Sequence, residues 1–586
     1  MTPFPLGVLM GRIAHEWETR NRIFDLPTAR FWSAPESVDL SMDFLGRPAA
    51  TPVGPAAGPH SQLAQNLVLG WLAGARMFEL KTVQVLDDLE IGRPCIDMET
   101  IGFNIEWSQE LEVHQSLEEY VKAWMMIEIL RRWPPLSDFI GREPGPHVFD
   151  MSLGYDLAGI STGKVTDYIE SMLDAGPVID DLRPLIPEPF EEYRELDFPT
   201  RIADTVTLST FHGCPPSEIV AIAKHLMDRH QLDVIVKLNP TLLGFGRVIE
   251  VLQQQLGYEH IRLNRLSFVE DLDIGRAVDL VGELNDHAAG NGRRFGIKLT
   301  NTLVVDNDKG FLPADPMYLS GPPLHVLATS LLDDLINAMP GTFRVEGHDG
   351  SVQVSFSAGV TQENLSATIG MGVAPATISS DLLRPGGYGR LEPMLRRLER
   401  DMVEAGSSTL YEWHRHNWEQ AKAAGFRGPV EAHMTAMTTG DDVAFYHRTE
   451  NEKPPRAVDH DLEMWGCVAC NFCVTVCPND AFFRLPTPSN MEIDGRQQYL
   501  LLAELCNECG NCMVFCPENG DPAQIKPKLY LEQARFEAGA GQGFLISGQT
   551  DRVTIAARAG YESEVSRLDE LLNDRTEGIP IRAGDL

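Results

Sequence analysis

CVACNFCVTVCP (residues 467–478) decides how the C-terminal part of this 586-residue chain folds. Its spacing, C-x2-C-x2-C-x3-C-P, returns in CNECGNCMVFCP (506–517), and the two stretches hold eight of the ten cysteines. This doubled run is the pattern of domains that bind two [4Fe–4S] clusters. The sequence therefore predicts a ferredoxin-like domain, followed by an acidic extension with a strand at 553–559 and a helix at 562–572.

The ligand sets follow from the spacing. Three thiolates two residues apart can hold three corners of a cube, while the fourth cysteine enters the next helix and points to the other cluster. The predicted sets are Cys467, Cys470, Cys473 with Cys516, and Cys506, Cys509, Cys512 with Cys477. Two zinc sites or disulfides are the alternatives. Against zinc, a zinc site needs only two pairs of thiolates, so the third cysteine and the Cys-Pro of each motif would be surplus. Against disulfides, the regular close spacing is typical of metal-ligand cysteines in a reducing compartment.

Charge and hydropathy exclude several classes of function. The chain has 84 acidic and 49 basic residues, a formal net charge of -35, which repels nucleic acid and anionic membranes. No run of about 18 apolar residues is present that could span a membrane, and the first residues do not resemble a secretory signal. We expect a cytoplasmic protein.

Upstream of the cysteines, short apolar runs alternate with amphipathic helical stretches, the βα rhythm of a parallel sheet. Eight such strands predict a (β/α)8 TIM barrel with its chemistry at the C-terminal strand ends. The strand-bearing segments are 50–58, 76–82, 147–154, 205–213, 234–240, 295–302, 352–359 and 376–380. Residues 264–270 (NRLSFVE) are a ninth candidate strand that we place in an insertion, and 496–502 (RQQYLLL) is strand-like between the cysteine motifs.

Polar residues gather where the predicted barrel strands end. They are Lys81, Ser152, His212, Cys214, Lys237, Lys298, Asn301, Gly359 and Ser380. A buried lysine is costly unless it meets an anion or an acceptor, so the three lysines indicate a binding site. The alternative is that they form salt bridges with acids of the barrel.

Several of these motifs resemble known enzymes. The AAG of 56–58, the LKT of 80–82 and the VKLNP of 236–240 resemble FMN-contacting positions of the dihydroorotate and dihydropyrimidine dehydrogenase class. A closer resemblance is to the YgfK-type family, which bears the label selenate reductase. It rests on TLSTFHGCPP (207–216), SDLLRPGGYGRL (380–391) and the second cysteine motif, and it covers essentially the whole chain.

The resemblance implies an FMN barrel connected to two clusters. Lys81 and Lys237 would lie near the N1/O2 edge of the flavin, and Gly359 with Ser379 or Ser380 would hold the phosphate. The implied cofactor-binding residues are Ala56, Ala57, Gly58, Lys81, Thr82, Asn104, Lys237, Lys298, Asn301, Gly359, Ser379 and Ser380. Ala358 stands where the dehydrogenases have glycine, and Asp381 would repel a phosphate. Selenate has no support in the residues.

Cys214 and His212 are the candidate catalytic residues. Cys214 precedes a helix that begins near Pro215–Pro216, and a helix N-terminus lowers a thiol pKa, which suits an acid opposite the flavin. A buried structural cysteine is an equally open interpretation. Cys95 is interpreted as structural. Histidines 414, 416 and 433 are interpreted as packing or surface residues.

The predicted domains are an N-terminal helical extension (1–45), the dihydroorotate dehydrogenase-like barrel (46–404), a linker or helical region (405–460), the ferredoxin-like domain (461–525) and a C-terminal extension (526–586). Members of the family continue into an FAD- and NAD(P)-binding module, whose G-x-G-x-x-G motif is absent here. We therefore expect an NAD(P)H-oxidising FAD subunit or a ferredoxin as the partner, in an oligomer or complex.

Two functions are compatible with the sequence. In the first, the chain is an oxidoreductase whose FMN exchanges a hydride with a small molecule, reduced at a C=C or C=N bond of a purine- or pyrimidine-type heterocycle. In the second, the barrel is catalytically degenerate and the chain is an electron-transfer or scaffold subunit. The lysines and Cys214 favour the first. The second is favoured by the weak match to the Asn-rich substrate motif of the dehydrogenases, of which Asn104 remains as a candidate while STFHGC (209–214) replaces another part.

Overall fold

A computed structural model describes residues 1–87, 89–105, 108–140, 144–209, 214–345, 350–489, 491, 493–547 and 553–573. Its centre is a sheet of eight strands, all paired in parallel, with the neighbour order β1-β8-β7-β6-β5-β4-β3-β2. The strands are β1 Val53–Pro55, β2 Met77–Glu79, β3 Val148–Leu153, β4 Thr205–Ser209, β5 Asp233–Leu238, β6 Phe295–Leu299, β7 Gln353–Phe356 and β8 Ala376–Ile378. Seven lie inside segments predicted from the sequence and β5 begins one residue before its segment, so the TIM-barrel prediction is confirmed.

The barrel closes between β1 and β2. The backbone N–H of Arg76 donates to the carbonyl oxygen of Val53 at 3.0 Å. Gly54 makes this approach possible, because a Cβ atom there would stand 1.5 Å from the carbonyl oxygen of Met77. A single side chain at this position would hold the two strands apart, so a glycine is required for closure.

Helices surround the barrel; some, such as Ala64–Leu72, are buried all round, and others bury one face. In Ile274–Gly290, for example, Ala277, Leu280, Val281, Leu284 and Ala288 are buried at helical spacing. The other α-helices in this part are Ala64–Leu72, Val113–Leu130, Pro134–Ile140, Leu157–Ile160, Gly163–Leu173, Gly176–Leu182, Pro216–His230, Phe245–Ile249, Arg265–Glu270, Pro322–Ala338, Leu365–Gly370 and Leu391–Glu404.

The ninth predicted strand is wrong, because Arg265–Glu270 is a helix. The side chain of Asn264 accepts a hydrogen bond from the backbone N–H of Ser267 at 3.2 Å, a helix N-cap. Leu266 and Val269 are 60% and 81% exposed, so the apolar run that suggested a strand does not enter a core.

A four-stranded antiparallel sheet covers the C-terminal end of the barrel, and the sequence did not predict it. Its strands, in spatial order, are Leu303–Val305, Met317–Ser320, Gly102–Asn104 and Ile96–Asp97. We call it the cap sheet. It brings Asn104, predicted as a cofactor-binding residue, over the barrel.

The N-terminal segment forms the predicted helix, Leu6–Arg20, and two small hairpins. The hairpin strands are Arg22–Ile23 with Leu26–Pro27, and Met42–Phe44 with Arg47–Ala49. The 405–460 region is helical, with Leu410–Ala423, Pro429–Thr438, Val443–Tyr446 and Arg448–Asn451.

The cysteine motifs lie in a second domain built on a five-stranded sheet. The strands, in order, are Phe482–Pro486, Gln497–Leu502, Lys528–Tyr530, Phe544–Ser547 and Thr554–Ala557. Its helices are Phe472–Thr475, Asn511–Phe515, Pro522–Ile525, Gln533–Ala538 and Val565–Asn573. The sheet therefore continues across the predicted boundary at 525 and joins the C-terminal extension to the cluster domain.

No helix among the described residues is long and apolar enough to cross a membrane.

Candidate active site and cluster-binding domain

A polar cavity of about 170 Å³ lies at the C-terminal ends of the barrel strands, between the barrel and the cap sheet. It brings together eleven of the twelve residues predicted to bind the cofactor. They are Ala56, Ala57, Gly58, Lys81, Thr82, Asn104, Lys237, Asn301, Gly359, Ser379 and Ser380. We call it the central cavity. The predicted residues come from distant parts of the chain; the barrel topology places ten of them together, and the cap sheet adds Asn104.

A buried ion network supports the floor of the central cavity. Glu79 is fully buried, and its carboxylate lies 3.4 Å from Nζ of Lys237 and 2.7 Å from Nζ of Lys298. Burial alone would raise the pKa of Glu79, but the two lysines outweigh it and hold that pKa at about 2. The same carboxylate accepts the backbone N–H of Ala57 at 3.0 Å, which fixes the start of the AAG segment.

Lys298 departs from its predicted position. It is 1% exposed and does not line the central cavity, because its ammonium group is engaged by Glu79 below the floor. Burial, partly opposed by Glu79, lowers its pKa. The alternative interpretation of the lysines, a salt bridge to a barrel acid, therefore describes Lys298 and also Lys237, although Lys237 lines the cavity together with Lys81.

The sequence interpretation missed Glu79, Asn239 and Asp271. The amide of Asn301 donates to Oδ1 of Asn239 at 2.7 Å, and Asn239 in turn donates to Asp271 at 3.2 Å. Strand alternation could have revealed Glu79, because it shares the inward face of β2 with Lys81, two residues later. Asp271 lies beyond the helix that was taken for a strand, so no signal in the sequence placed it here.

The loop after β7 is shaped by glycine. Gly359 has φ +52°, and a Cβ atom there would stand 2.2 Å from the carbonyl oxygen of Gly321. Two threonines, Thr300 and Thr377, line the same cavity, and their buried hydroxyl oxygens have no hydrogen-bond partner among the described residues. Such unpaired buried groups are costly unless a ligand or water satisfies them.

The charge of Asp381 is compensated by Arg390, so the expectation that Asp381 would repel a phosphate is wrong. Its two carboxylate oxygens accept hydrogen bonds from Nε and Nη2 of Arg390 at 2.7 and 2.8 Å. This bidentate pair neutralises the acid within its own 380–391 segment. Asp381 is buried outside the central cavity, whereas Ser379 and Ser380 line it.

A pair of buried histidines supports the Gly359 loop. Nδ1 of His325 lies 2.9 Å from the carbonyl oxygen of Ala358, and its Nε2 lies 3.1 Å from Nε2 of His433. The His325 ring stacks on Tyr446, with 9° between the planes. Burial lowers the pKa of His325 to about 3 and that of His433 to about 4. His433 thus has the packing role that we predicted, with a partner in the barrel.

We expect protonation of this histidine pair to lower the stability of the fold as the pH falls. Both folded pKa values lie below the value of about 6.5 in an unfolded chain, so the folded state binds fewer protons. Stability is complete above pH ~6.5 and is lost as the pH falls, by roughly 1 kcal/mol for each histidine at pH ~5.5. The thermal unfolding midpoint should fall between pH 7.5 and 5.5, and less steeply in His433→Gln. Equal slopes in the two proteins would contradict this role.

Cys214 is placed as predicted, immediately before the helix Pro216–His230. Its thiol pKa, however, is raised to about 12 by burial and then by Glu218, Asp156 and Asp271. The expected lowering of that pKa is therefore wrong, because burial and acidic neighbours outweigh the helix N-terminus. His212, the other predicted catalytic residue, lies outside the described residues.

The cysteines form the two interleaved groups expected from their spacing. Cys467, Cys470, Cys473 and Cys516 line one cavity. The pKa of the Cys512 thiol is raised by burial and then by four neighbours: Asp521, Cys509, Cys506 and Cys477. The ten cysteines are all described and all unpaired, so the disulfide alternative is wrong. Within the described residues, no three His, Cys, Asp or Glu side chains converge on the site of a single ion.

The second cysteine group borders the central cavity. Ile96 lines the cavity, and its backbone N–H donates to the carbonyl oxygen of Cys509 at 3.1 Å. The buried amide of Asn511 donates to the carbonyl oxygens of Leu383, another cavity residue, and of Val476, each at 2.8 Å. We call these contacts the junction. In the first group, Cys470 is exposed and no cysteine is fully buried.

Comparison with known proteins agrees with this architecture. Residues 24–424 match the family model described as oxidoreductase YgfK, N-terminal TIM-barrel domain. Residues 466–519 match the 4Fe-4S dicluster domain. The fold prediction is thereby confirmed in both parts, and the eight cysteines of the second domain belong to a module that binds two [4Fe–4S] clusters.

Similar proteins include the oxidoreductases YgfK of Escherichia coli K12 and O157:H7, each 40% identical over 526 residues. These residues cover 86% of this chain and 47% of each relative, so the chain spans about half the length of the curated relatives it matches. Two DHODH crystal structures from Eimeria tenella, one with ferulenol and one ligand-free, are 15% and 16% identical, with TM-scores of 0.41 and 0.40. Each covers 65% of this chain, and the matched regions are 90% and 93% of those chains.

Proposed function

Since this chain belongs to the YgfK family of oxidoreductases, we propose that it is an iron–sulfur flavoprotein with FMN in the central cavity. Electrons would pass between a partner, the two [4Fe–4S] clusters and the flavin site. The substrate would be an N-heterocycle of purine or pyrimidine type, reduced at a C=C or C=N bond. The observation that carries the proposal is the junction, which joins the wall of the central cavity to the second cysteine group by hydrogen bonds.

The residue types that line the central cavity fit an anionic, polar cofactor, whereas its volume of about 170 Å³ lies below the roughly 300–1,000 Å³ of typical ligand cavities. Lys81 and Lys237 supply positive charge at two strand ends, and the hydroxyls of Thr300 and Thr377 have no described partner to satisfy them. Gly359 gives the loop after β7 a backbone that approaches its neighbours closely. These features support FMN with its phosphate at the loops after β7 and β8, the usual phosphate position in barrels of this fold.

FMN, when bound, supplies hydride exchange with a carbon and single-electron exchange with iron–sulfur centres. The chain's own residues have separate tasks. The cap-sheet residues Ile96 and Phe103 cover the cavity and exclude water. Asn104 and Asn301 present amide groups to a polar ligand. Cys214 is not among the described residues that line the central cavity, and burial raises its pKa, so its proposed role as a proton donor has no support in the cavity geometry.

The partner would deliver electrons to the first cysteine group, which is the more exposed of the two. An NAD(P)H-oxidising FAD protein or a ferredoxin would serve. Electrons would then reach the central cavity through the second group, because only that group contributes to the junction described above.

A scaffold without its own substrate is the second candidate, and one observation favours it. Glu79 already neutralises Lys298 and contacts Lys237, so the buried lysines do not by themselves require an anionic cofactor. The two candidates differ in whether flavin binds.

Extraction of flavin from anaerobically purified protein tests the proposal. We expect about one FMN per chain. Thr377→Val should weaken FMN binding about tenfold without loss of stability, since it removes a hydroxyl that has no described protein partner. The control is Thr368→Val, a buried threonine that donates to Asn364 at 2.8 Å, which should cost stability and leave FMN binding unchanged. Protein that neither contains nor takes up FMN would exclude the enzyme and favour the scaffold.

A further inference from the structure

A second cavity opens beside the central one and is larger, about 780 Å³. The two share Thr82 and Ser209, which stand at the ends of β2 and β4. We call it the side cavity. Its volume is in the range of cavities that hold small molecules, roughly 300–1,000 Å³. A ligand bound there would therefore reach the proposed flavin site directly.

The side cavity carries negative charge. Glu90, Asp156 and Asp315 line it, and no Lys, Arg or His is found among its described lining residues. Asp156 accepts the backbone N–H of Gly159 at 2.7 Å, and Asp315 accepts that of Asn307 at 3.0 Å. Across the described part of the chain, no basic side chain forms a salt bridge with any of the three. A cleft of one charge sign focuses its field on whatever enters.

Apolar surface complements this charge. Leu86 and Leu89 line the side cavity and are 47% and 36% exposed, although large apolar side chains are usually covered. Ile105, on the same wall, is buried. A flat ligand would cover these leucines, and its N–H groups would donate hydrogen bonds to the carboxylates.

We propose that the side cavity admits the substrate and selects by charge. It takes neutral, planar heterocycles rich in N–H groups and rejects analogues that carry a carboxylate, as well as oxyanions. This inference rests on the proposed function for the identity of the neighbouring site. It narrows the substrate class from N-heterocycles in general to uncharged ones, because an anion would pass three carboxylates without a compensating cation among the described lining residues.

Uracil and orotate form a matched pair of probes, since orotate is uracil with a carboxylate. Isothermal titration calorimetry with the holoprotein should give uracil at least about tenfold tighter binding than orotate at low salt, the effect of a modest repulsion. Hypoxanthine serves as a neutral purine probe. The preference should shrink as added salt screens the acids.

Two variants connect the preference to these side chains. Glu90→Gln combined with Asp315→Asn should raise the affinity for orotate relative to the affinity for uracil about tenfold. Asp279→Asn is the matched control, because it removes one exposed carboxylate from the outer helix Ile274–Gly290 and should change neither affinity.

Orotate binding as tight as that of uracil would overturn the inference, and so would a failure of both neutral bases to bind. An unchanged preference in the double variant would overturn it as well. Flavin is measured in the same preparation, which separates the two proposals. Absence of flavin with a retained uracil preference contradicts only the proposed function, whereas bound flavin without the preference contradicts only the charge selection.

Discussion

Replacing Cys477 with alanine removes the cluster of the second cysteine motif, although Cys477 belongs to the first motif in sequence. The protein should lose about four of about eight irons, because Cys477 contributes to the group of Cys506, Cys509 and Cys512. Iron and acid-labile sulfide analysis of anaerobic protein measures the loss. Since this group borders the central cavity, reduction of a bound flavin through the clusters should stop as well.

Cys516→Ala is the matched control for this prediction. It should remove the other cluster, whose remaining ligands Cys467, Cys470 and Cys473 share a cavity with Cys516. Electron paramagnetic resonance of each reduced variant should therefore show the signal that the other variant has lost. If Cys477→Ala and Cys516→Ala lost the same cluster, the interleaved arrangement would be wrong.

Glu79→Gln should be among the most destabilising substitutions in the barrel. It removes the carboxylate that lies against the ammonium groups of Lys298 and Lys237, and leaves buried positive charge uncompensated. Breaking a buried ion pair in this way costs about 3–5 kcal/mol. Anaerobic urea unfolding followed by tryptophan fluorescence should show the decrease in the free energy of unfolding.

The double variant Glu79→Gln/Lys298→Met separates lost charge balance from lost shape. Removing the uncompensated lysine should recover part of the stability, because a buried pair can be replaced by apolar groups at little cost. A single variant within about 0.5 kcal/mol of the wild type would mean that Glu79 does not hold the two lysines.

The barrel strands could be predicted because each is a short buried run followed by polar residues and a helix. In β5 and β6 every residue is buried, which gives a mostly apolar signal interrupted by Asp233, Lys237 and Lys298. The segment 264–270 has the same local composition but forms a capped helix, because Asn264 begins a helix there. Local pattern does not reveal which apolar runs reach a core.

The residues that line the central cavity could largely be predicted from the sequence, but the pKa shifts of the groups around it could not. Lys81, Lys237 and Asn301 stand at strand ends, which barrel topology brings together. The pKa of Cys214 was predicted in the wrong direction, because burial raises it, followed by Glu218 of the adjacent helix and by Asp156 and Asp271 from other segments of the chain. Interactions between distant segments depend on tertiary packing, which the sequence pattern does not contain.

The junction could not be predicted at all. Ile96 and Cys509 lie more than 400 positions apart, yet a backbone hydrogen bond joins them. Cys95, interpreted as a structural residue, donates its own backbone N–H to the same carbonyl oxygen at 3.1 Å. Backbone contacts of this kind leave no mark on residue type, so only the folded chain reveals which cluster lies nearer the cavity.

An anaerobic reductive titration tests the central claim most directly, because it counts the electron acceptors of the chain. Each [4Fe–4S] cluster accepts one electron and a flavin accepts two, so the account predicts about four electrons per chain. A titration that ends at about two electrons, with the cluster absorbance fully bleached, would contradict the presence of a flavin in the central cavity.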